Sequence, residues 1–208
     1  LDRMITAGKM KGIEHEVFAL LLIHGCLRIG EVNALHWSDI DLDVKTMKVQ
    51  RTEWMGMTQD APKGHVGAVP LSGKLHDALL RLHAWGGLRS ELVLPAKKKE
   101  AWGVRHGPGL LDSIQRAAGI RGSGPHLIRH SALTLAASRG ASPYALQALA
   151  RHSNMSTTMR YYIHLQQVKV AQEAVSLLEG TAAPSTSGQT PANEVKPAPR
   201  VRLVKSSR

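Results

Sequence analysis

Three short stretches of the sequence bring positively charged and proton-transferring side chains close together. They read CLRIGE (residues 26–31), PHLIRHS (residues 125–131) and HSNMSTTMRYY (residues 152–162). In the second stretch, His126 and Arg129 are three positions apart, which places both side chains on one face of a helix. Each stretch alone also fits a helix start with an exposed arginine and a satisfied histidine, so a chemical interpretation depends on all three together.

Arginine and tyrosine side chains supply most of what the cleavage of a phosphodiester requires. Such cleavage needs an in-line nucleophile, donors for the non-bridging oxygens and an acid for the departing oxygen. Arg28 and Arg129 suit the second task, because a guanidinium stays protonated and presents a planar fork to phosphate. A tyrosine oxygen is both a nucleophile and a leaving group, so a phosphotyrosyl link would conserve the bond energy for rejoining. These residue types predict phosphodiester chemistry that uses no metal ion.

Two other interpretations of the same stretches fail on particular residues. Residues 25–30 have the glycine spacing of a phosphate-binding loop, but Glu31 and Val32 stand where a lysine and a serine or threonine would be required. His126 and His130 have the spacing of a zinc-binding helix, but a leucine occupies the place of the glutamate base and the nearby arginine would repel the cation. We therefore expect neither a nucleotide nor a metal cofactor, although the chain has 11 histidines.

Taken in order, the three stretches resemble the signature motifs of the tyrosine recombinase (phage integrase) family, over roughly residues 12–178. The segment CLRIGEVNALHWSDID is similar to the family's first arginine motif, which implies that Arg28 is a catalytic arginine and Glu31 its supporting acid. The segment GPHLIRHSALTLAASRG is similar to the His-x-x-Arg motif, which implies catalytic roles for His126 and Arg129. The order and spacing make the joint match much more specific than any single motif.

The third stretch, within LARHSNMSTTMRYYIH, resembles the family motif that carries the nucleophile. It implies that His152 is catalytic and that the nucleophile is Tyr161, nine positions later. Tyr162 is adjacent and chemically equal, and spacing alone favours Tyr161. By this resemblance, Tyr161 takes the 3′ phosphate and releases a 5′ hydroxyl, which later attacks the link in the same or another strand. His126 and His152 would assist the transfer, helped by a titration range near neutrality.

The leaving-group acid of the family is a lysine on the turn of a β-hairpin. Lys63, in DAPKGHVGAVPL, lies between two predicted strands and takes this role by the resemblance. The loop that precedes it is longer than in compact family members, so Lys45 and Lys48 stay open as rivals. An exposed hairpin lysine is commonly just solvated, and the assignment therefore depends on the resemblance.

The charge balance favours a polyanionic partner. Lys and Arg number 27 against 16 Asp and Glu, which gives a formal net charge of +11. Double-stranded DNA is the leading partner, and an anionic membrane surface is the rival. The longest apolar run, residues 17–23, is far shorter than the ~20 residues of a spanning helix, and the first residues lack a signal-peptide core. We expect a soluble, cytoplasmic, bacterial or phage-encoded protein, associated with the nucleoid and not with a membrane.

The sequence predicts one folded domain over residues 1–179 and a disordered basic tail over residues 180–208, which are rich in Pro, Ser, Thr and Ala. The tail could add nonspecific phosphate attraction, although a solvated terminus is the commoner case. Cys26, the single cysteine, can form no internal disulfide and is expected to be a small buried apolar residue. Because the sequence begins with Leu1, we expect it to be part of a longer protein.

Apolar spacing predicts a mainly α-helical fold with a small antiparallel β-sheet, an α+β arrangement that also matches the catalytic-domain fold implied by the resemblance. Predicted helices cover residues 13–24, 29–35, 75–83, 110–118, 127–138 and 144–150. Predicted strands cover residues 46–53 and 65–71, which should pair across TQDAPKG, and a shorter third strand covers residues 91–95.

A further helix after the tyrosine carries one apolar stripe, made by Leu165, Val168, Ala171, Val175 and Leu178. In the resembling family such a helix often docks on a neighbouring protomer, which implies a homo-oligomer on DNA. A stripe of this kind that packs on its own domain is at least as common.

The leading function is a site-specific DNA recombinase or integrase that cleaves and rejoins strands through a covalent 3′-phosphotyrosyl intermediate, without metal or nucleotide. Phosphate contacts would supply the affinity, and a few base contacts the choice of sequence. A topoisomerase that only relaxes supercoils would use the same residues. A noncatalytic regulator that docks residues 127–150 on DNA is less favoured, because the full polar set is present. A histidine-dependent metallonuclease is the weakest alternative.

Overall fold

The computed structural model describes residues 1–54, 57–60, 67–86, 90–95 and 106–179. The helices in chain order are α1 (Asp2–Lys11), α2 (Ile13–Ile23), α3 (Ile29–Asn33), α4 (Gly73–Gly86), α5 (His106–Ala117), α6 (Pro125–Ser138), α7 (Pro143–Ala150) and α8 (Met155–Leu178). The strands are β1 (Ile40–Asp41), β2 (Thr46–Val49), β3 (Arg51–Trp54), β4 (Met57–Asp60) and β5 (Gly67–Pro70). A single 3-10 turn, Trp37–Asp39, precedes β1 among the described residues. The prediction of a mainly helical fold with a small antiparallel β component is confirmed.

Helix α2 forms the centre of the hydrophobic core. Every residue from Val17 to Leu22 is at most 1% exposed. A helix that is apolar on all sides is stable only when other elements cover it, and α1, α4, α5 and α6 all contact it. Burial of one leucine or phenylalanine contributes roughly 1.5–3 kcal/mol, so this run anchors the chain immediately before Cys26 and Arg28.

Helix α1 was not among the predicted helices. Its buried face consists of Met4, Ala7 and Gly8, which are too few and too small to produce a clear apolar period. A Cβ at Gly8 would lie 2.9 Å from the carbonyl oxygen of His15. The two helices therefore approach closely because Gly8 lacks a side chain.

The predicted strand over residues 46–53 is two strands that belong to different sheets. Its first half, β2, lies between β1 and β5 in a three-stranded antiparallel sheet, with Met47 opposite Val69. The predicted pairing of these two segments is confirmed there. Its second half, β3, pairs with β4 in a separate hairpin. The chain changes sheets at Gln50, where Gln50 and Arg51 both donate hydrogen bonds to the carboxylate of Asp39.

The predicted strand over residues 91–95 is wrong. Leu92 forms only an isolated bridge with His36, while Val93 and Leu94 are buried in the core. The apolar residues that suggested a strand are explained by this burial. By contrast, the helix predicted over residues 144–150 is confirmed as α7, and it begins where the hydroxyl of Ser142 accepts a hydrogen bond from the amide of Ala145 at 3.2 Å.

The chain divides into two compact units, Leu1–Lys169 and Val170–Arg208. The first unit contains helices α1 to α7 and all the strands found in the described residues. In the second unit, the described residues continue α8, and Val175 and Leu178 are exposed by 51% and 88%. None of the helices in the described part of the chain combines the length and the apolar character needed to cross a membrane.

Candidate active site

A pocket of about 200 Å³ lies where α3, β3 and the first turn of α6 meet. Its lining residues are Arg28, Ile29, Gly30, Asn33, Thr52, Glu53, Pro125, His126 and Arg129. The structure therefore brings Arg28, His126 and Arg129 to one cavity, although about 100 residues separate the two segments of the chain. Their catalytic roles stay predictions.

A larger pocket of about 550 Å³ is lined by residues 38–43, Thr46 and Lys48. Its lining includes the exposed residues Asp41 and Asp43, whereas the carboxylate of Asp39 is buried against Arg51. Because carboxylates repel a phosphodiester, the smaller pocket with its two arginines is the better candidate for phosphate chemistry.

Arg28 is held at the start of α3 by Glu31. The backbone amide of Arg28 donates to Glu31 Oε2 at 2.7 Å, and its Nη1 donates to Oε1 of the same carboxylate at 2.9 Å. A glutamate at the third helical position that reaches back to the first amide is a common helix start. The side chain of Arg28 stays 44% exposed, so part of its guanidinium can contact a ligand.

The close approach of α3 to β3 depends on Gly30. A Cβ at this position would lie 2.6 Å from the carbonyl oxygen of Glu53 and 2.7 Å from Oγ1 of Thr52. Any larger residue would push Arg28 and the strand apart. The packing of α3 against β3 therefore requires a glycine between Arg28 and Glu31.

Arg129 lies on α6, one turn after His126, and is buried. Its guanidinium donates hydrogen bonds to the backbone carbonyls of Cys26 and Ala150. Burial, together with the positive charges of Arg28 and Arg151, lowers its pKa to about 10. Arg129 is therefore still a cation at neutral pH.

Cys26 contributes its backbone rather than its thiol. As predicted, its side chain is buried, and burial raises the pKa of the thiol to about 11. The residue has a φ of 48°, in the left-handed region that disfavours side chains. Its carbonyl oxygen accepts hydrogen bonds from both Arg129 and Arg151.

Arg151 is not among the predicted catalytic residues, yet it is also buried in this cluster. Its Nη2 donates to Glu31 Oε2 at 2.6 Å and to the Cys26 carbonyl at 3.3 Å, and its Nη1 donates to the Leu149 carbonyl at 3.1 Å. A charged residue that follows a short helix is usually solvated. The local sequence gives no signal for its burial, because the carboxylate that pairs with it lies 120 positions away.

Glu31 stays ionised within this cluster. Burial would raise the pKa of its carboxyl, but the charge of Arg151, the amide of Arg28 and the charges of Arg28 and Arg129 outweigh burial and lower the pKa. One carboxylate therefore holds two arginines, Arg28 and Arg151, by direct ion pairs.

His152 is partly buried and contacts the helix that carries the tyrosine. Its Nδ1 lies 3.0 Å from Oγ1 of Thr158, a buried residue on α8 that sequence analysis did not single out. Burial lowers the pKa of His152 to about 4, and the charges of Arg129, Arg28 and Arg151 contribute in the same direction. The expectation that His152 titrates near neutrality is therefore wrong, because burial and, after it, the charges of three arginines disfavour its protonation.

The remaining predicted residues are described only in part or not at all. Tyr161 and Tyr162 lie on α8, three and four positions after Thr158, and their side chains fall outside the described residues. Lys63 also falls outside the described residues. Of its rivals, Lys48 lines the larger, carboxylate-rich pocket, and Lys45 is exposed at a turn with a φ of 57°.

Solved structures of tyrosine recombinases have the same fold as this chain. The crystal structure of XerA recombinase matches with a TM-score of 0.63 at 20% identity, covering 82% of this chain and 62% of that one. The post-cleavage complex of XerH recombinase with a palindromic difH substrate matches with a TM-score of 0.61 at 17% identity, covering 86% and 51%. At these identities the likeness establishes the fold alone.

Sequence comparison gives the family. The model of the phage integrase family matches residues 1–168, so the chain belongs to this family. Tyrosine recombinase XerC of Bacillus pumilus is 30% identical over 155 residues, which cover 72% of this chain and 49% of that protein. Tyrosine recombinase XerA of Thermococcus kodakarensis is 30% identical over 169 residues, covering 77% and 55%. The chain spans about half the length of these relatives.

Proposed function

We propose that the protein cleaves and rejoins DNA as a site-specific recombinase, through a covalent 3′-phosphotyrosyl intermediate that requires neither metal nor nucleotide. The observation that carries this proposal is the pocket shared by Arg28, His126 and Arg129. Two arginines from distant parts of the chain line one cavity that is large enough for a phosphate group. Membership of the phage integrase family supports the same reaction.

The arginines would bind the two non-bridging oxygens of the scissile phosphate. Arg129 keeps its charge at neutral pH, and Arg28 is fixed by Glu31 while remaining accessible. Preorganised cations of this kind stabilise the charge that develops as the phosphorus is attacked. Such a clamp performs electrostatically the task that a metal ion performs in other phosphoryl transfer enzymes.

Tyr161 would be the nucleophile. Its oxygen attacks phosphorus and loses its proton, the bond from phosphorus to the 5′ oxygen breaks, and Lys63 supplies a proton to that oxygen. Attack of a 5′ hydroxyl on the phosphotyrosine then reverses each bond change and rejoins the strand. His152, neutral above a pKa of about 4, can accept a proton or donate a hydrogen bond to the phosphate, and His126 would assist it from the pocket wall.

Double-stranded DNA is the proposed partner. The formal net charge of +11 favours a polyanion, and a transposon integrase of the same fold, matching with a TM-score of 0.56 at 22% identity, was solved in complex with a circular intermediate DNA. Affinity would come mainly from contacts with phosphates, so it should fall steeply with salt.

A nicked duplex tests the chemistry. The protein is incubated with a pool of nicked duplexes of randomised sequence, in which loss of the short released strand traps any covalent adduct. We expect an adduct that survives denaturing electrophoresis, forms in EDTA, disappears in Tyr161→Phe and persists in the matched control Tyr162→Phe. An adduct that is lost in Tyr162→Phe instead would reassign the nucleophile.

The same pool separates the alternative functions. Sequences recovered from the adduct are placed in two plasmid sites, and strand exchange between them supports a recombinase. Relaxation of supercoils without exchange would indicate a topoisomerase. Binding without any adduct would indicate a noncatalytic regulator, and an activity that EDTA abolishes would indicate a metal-dependent nuclease.

We further propose that the end of α8 mediates assembly on DNA. Its residues Val175 and Leu178 are exposed and apolar, which is unfavourable unless another surface covers them. Val175→Glu with Leu178→Glu should abolish DNA-dependent oligomers in analytical ultracentrifugation. Ser156→Glu, at an exposed position near the start of the same helix, is the control. Unchanged assembly of the double variant would contradict this docking surface.

A further inference from the structure

We propose that Arg151 is a positioning residue, which fixes Arg28 and Arg129 relative to each other through the groups that they share. This inference rests on the proposed function, because it assigns the two arginines to one phosphate. Arg151 itself does not line the pocket, and its side chain is only 4% exposed. It would act on the substrate only through its neighbours.

The contacts of Arg151 connect the two arginines of the pocket. Glu31 accepts hydrogen bonds from Arg28 through Oε1 and from Arg151 through Oε2. The carbonyl of Cys26 accepts from Arg151 and from Arg129, using the two lone pairs of one oxygen. A continuous path of hydrogen bonds therefore runs from Arg28 through Glu31, Arg151 and the Cys26 carbonyl to Arg129.

The backbone of Arg151 supports a specific role for its side chain. Its φ of 53° and ψ of 44° are left-handed, a conformation that glycine adopts freely and that a residue with a Cβ adopts at a cost. Cys26, which accepts its hydrogen bond, has the same kind of strained backbone. Two unfavourable conformations meet at one hydrogen bond, as expected where the surrounding structure requires a particular geometry.

The stem of Arg151 also contacts the sheet. A Cβ at Gly67, the first residue of β5, would lie 3.2 Å from both Cγ and Cδ of Arg151. Arg151 thus forms an ion pair with Glu31 of α3 and packs its methylene groups against β5. This position, at the junction of three elements, suits a residue that fixes geometry.

Arg151 is also one of the described cations that lower the pKa of His152. Its charge contributes to lowering the pKa of His152, after burial and the charges of Arg129 and Arg28. Removal of this charge should therefore raise the pKa of His152, whereas its replacement by another cation should not. This difference separates a positioning role from a merely structural one.

The test uses Arg151→Gly, Arg151→Lys and the matched control Arg139→Gly, an exposed arginine that ends α6 as Arg151 ends α7. Adduct formation is measured from pH 4 to 8 on the duplex recovered from the randomised pool. We expect Arg151→Gly to be about 100-fold slower, because a misplaced reacting group costs about that much. Its pH profile should shift to higher pH, since His152 loses one neighbouring cation.

Arg151→Lys keeps the charge but loses the planar fork, in which Nη2 donates to both Glu31 and the Cys26 carbonyl while Nη1 donates to the Leu149 carbonyl. It should keep the wild-type pH profile and still be about 10-fold slower, because one ammonium on a flexible stem lacks the Leu149 hydrogen bond and does not hold the two shared acceptors in the same geometry. Glu31→Gln tests the path of hydrogen bonds. If Glu31 and Arg151 act through this path, the double variant Glu31→Gln with Arg151→Gly should form the adduct little more slowly than the slower of the two single variants. Arg139→Gly should match the wild type.

The outcomes separate this inference from the proposed function. A wild-type adduct that Tyr161→Phe abolishes, together with wild-type rates and pH profiles in both Arg151 variants, would overturn the inference alone. Full activity of Arg151→Lys would also overturn it, since charge without the fork would then suffice. Independent effects of Glu31→Gln and Arg151→Gly would remove the proposed path. Absence of any wild-type adduct would overturn both the inference and the proposed function.

Discussion

Two arginine–carboxylate clusters in this protein differ in how their charges balance. On α4, Arg81 donates two hydrogen bonds to Glu16 of α2, at 3.0 and 2.8 Å, so one cation meets one anion. In the candidate active site, Arg28, Arg129 and Arg151 surround the single carboxylate of Glu31. Among the described residues, arginines outnumber carboxylates there even when Glu53 on the pocket wall is counted.

The difference indicates which cluster has balanced charges without a bound ligand. The pair on α4 joins two helices and leaves Arg81 half exposed to water, as in a structural ion pair. In the described part of the chain, the candidate-site cluster holds more positive than negative charge, and two of its arginines, Arg129 and Arg151, are buried. Buried charge is costly unless an opposite charge compensates it. A bound phosphate would provide that compensation, so the imbalance itself points to an anionic ligand.

Removal of one arginine from each cluster should give the largest contrast. Arg28→Ala should slow adduct formation by about 100- to 1,000-fold, the usual effect of losing one charge-stabilising donor. Arg81→Ala should leave that rate unchanged and lower the free energy of unfolding by about 1–3 kcal/mol, because buried Glu16 loses its donor. Urea unfolding and the nicked-duplex assay measure the two effects. Equal activities of the two variants would contradict the distinction between the clusters.

The surplus charge should also be visible in the titration of His152. NMR of the imidazole should give a pKa of about 4 in the wild type, and a higher pKa in Arg28→Ala, which removes one of the cations that lower it. Arg81→Ala serves as the control and should not move it. An ordinary pKa near 6.5 in the wild type would show that neither burial nor the cations lower the pKa of His152.

The same depressed pKa affects stability in acid. His152 is protonated below about pH 6.5 in the unfolded chain but only below about pH 4 in the folded chain. The free energy of unfolding should therefore fall as the pH drops from about 6.5 to about 4. His152→Gln should lose less stability over this range than the wild type. His24, whose pKa burial and Lys74 also lower, contributes in the same direction, and His24→Gln measures its separate share.

Inorganic phosphate should stabilise the unbalanced cluster and not the balanced one. When phosphate is about tenfold above its Kd, binding to the folded state adds about 1.4 kcal/mol to the free energy of unfolding. Arg28→Ala should lose this increment, whereas Arg81→Ala should retain it. Phosphate also stabilises proteins in general by exclusion from their surface, so the difference between the two variants is the relevant quantity. Equal increments would mean that the pocket binds no phosphate.

The sequence predicted the residues that line the pocket better than the residue that holds them in place. Arg28, His126 and Arg129 stand in recognisable motifs and do line one cavity. Arg151 could not be found in the same way, because its local sequence is that of a solvated helix end. The burial of Arg151 depends on its ion pair with Glu31, and folding is what brings these two residues together.

The elements of the fold likewise differ in how well the local sequence predicts them. Helix α2 was predictable because its apolar run has no alternative to burial. Helix α1 packs through Ala7 and Gly8, whose small size is favourable only against a particular neighbour. The division of residues 46–53 between two sheets depends on the carboxylate of Asp39, which binds both Gln50 and Arg51. Distant partners such as these leave no pattern in the local sequence.

The smallest expected effect concerns the neutral hydrogen bond that connects the site to the tyrosine helix. Thr158→Val keeps the buried shape but removes the hydroxyl that lies 3.0 Å from Nδ1 of His152. Loss of a neutral hydrogen bond costs about 1 kcal/mol, so adduct formation should slow about fivefold. Thr157→Val, at the exposed neighbouring position, is the control. A rate in Thr158→Val that equals the control would mean that burial and the surrounding cations alone orient His152, and that the balance of charge, not this hydrogen bond, controls the site.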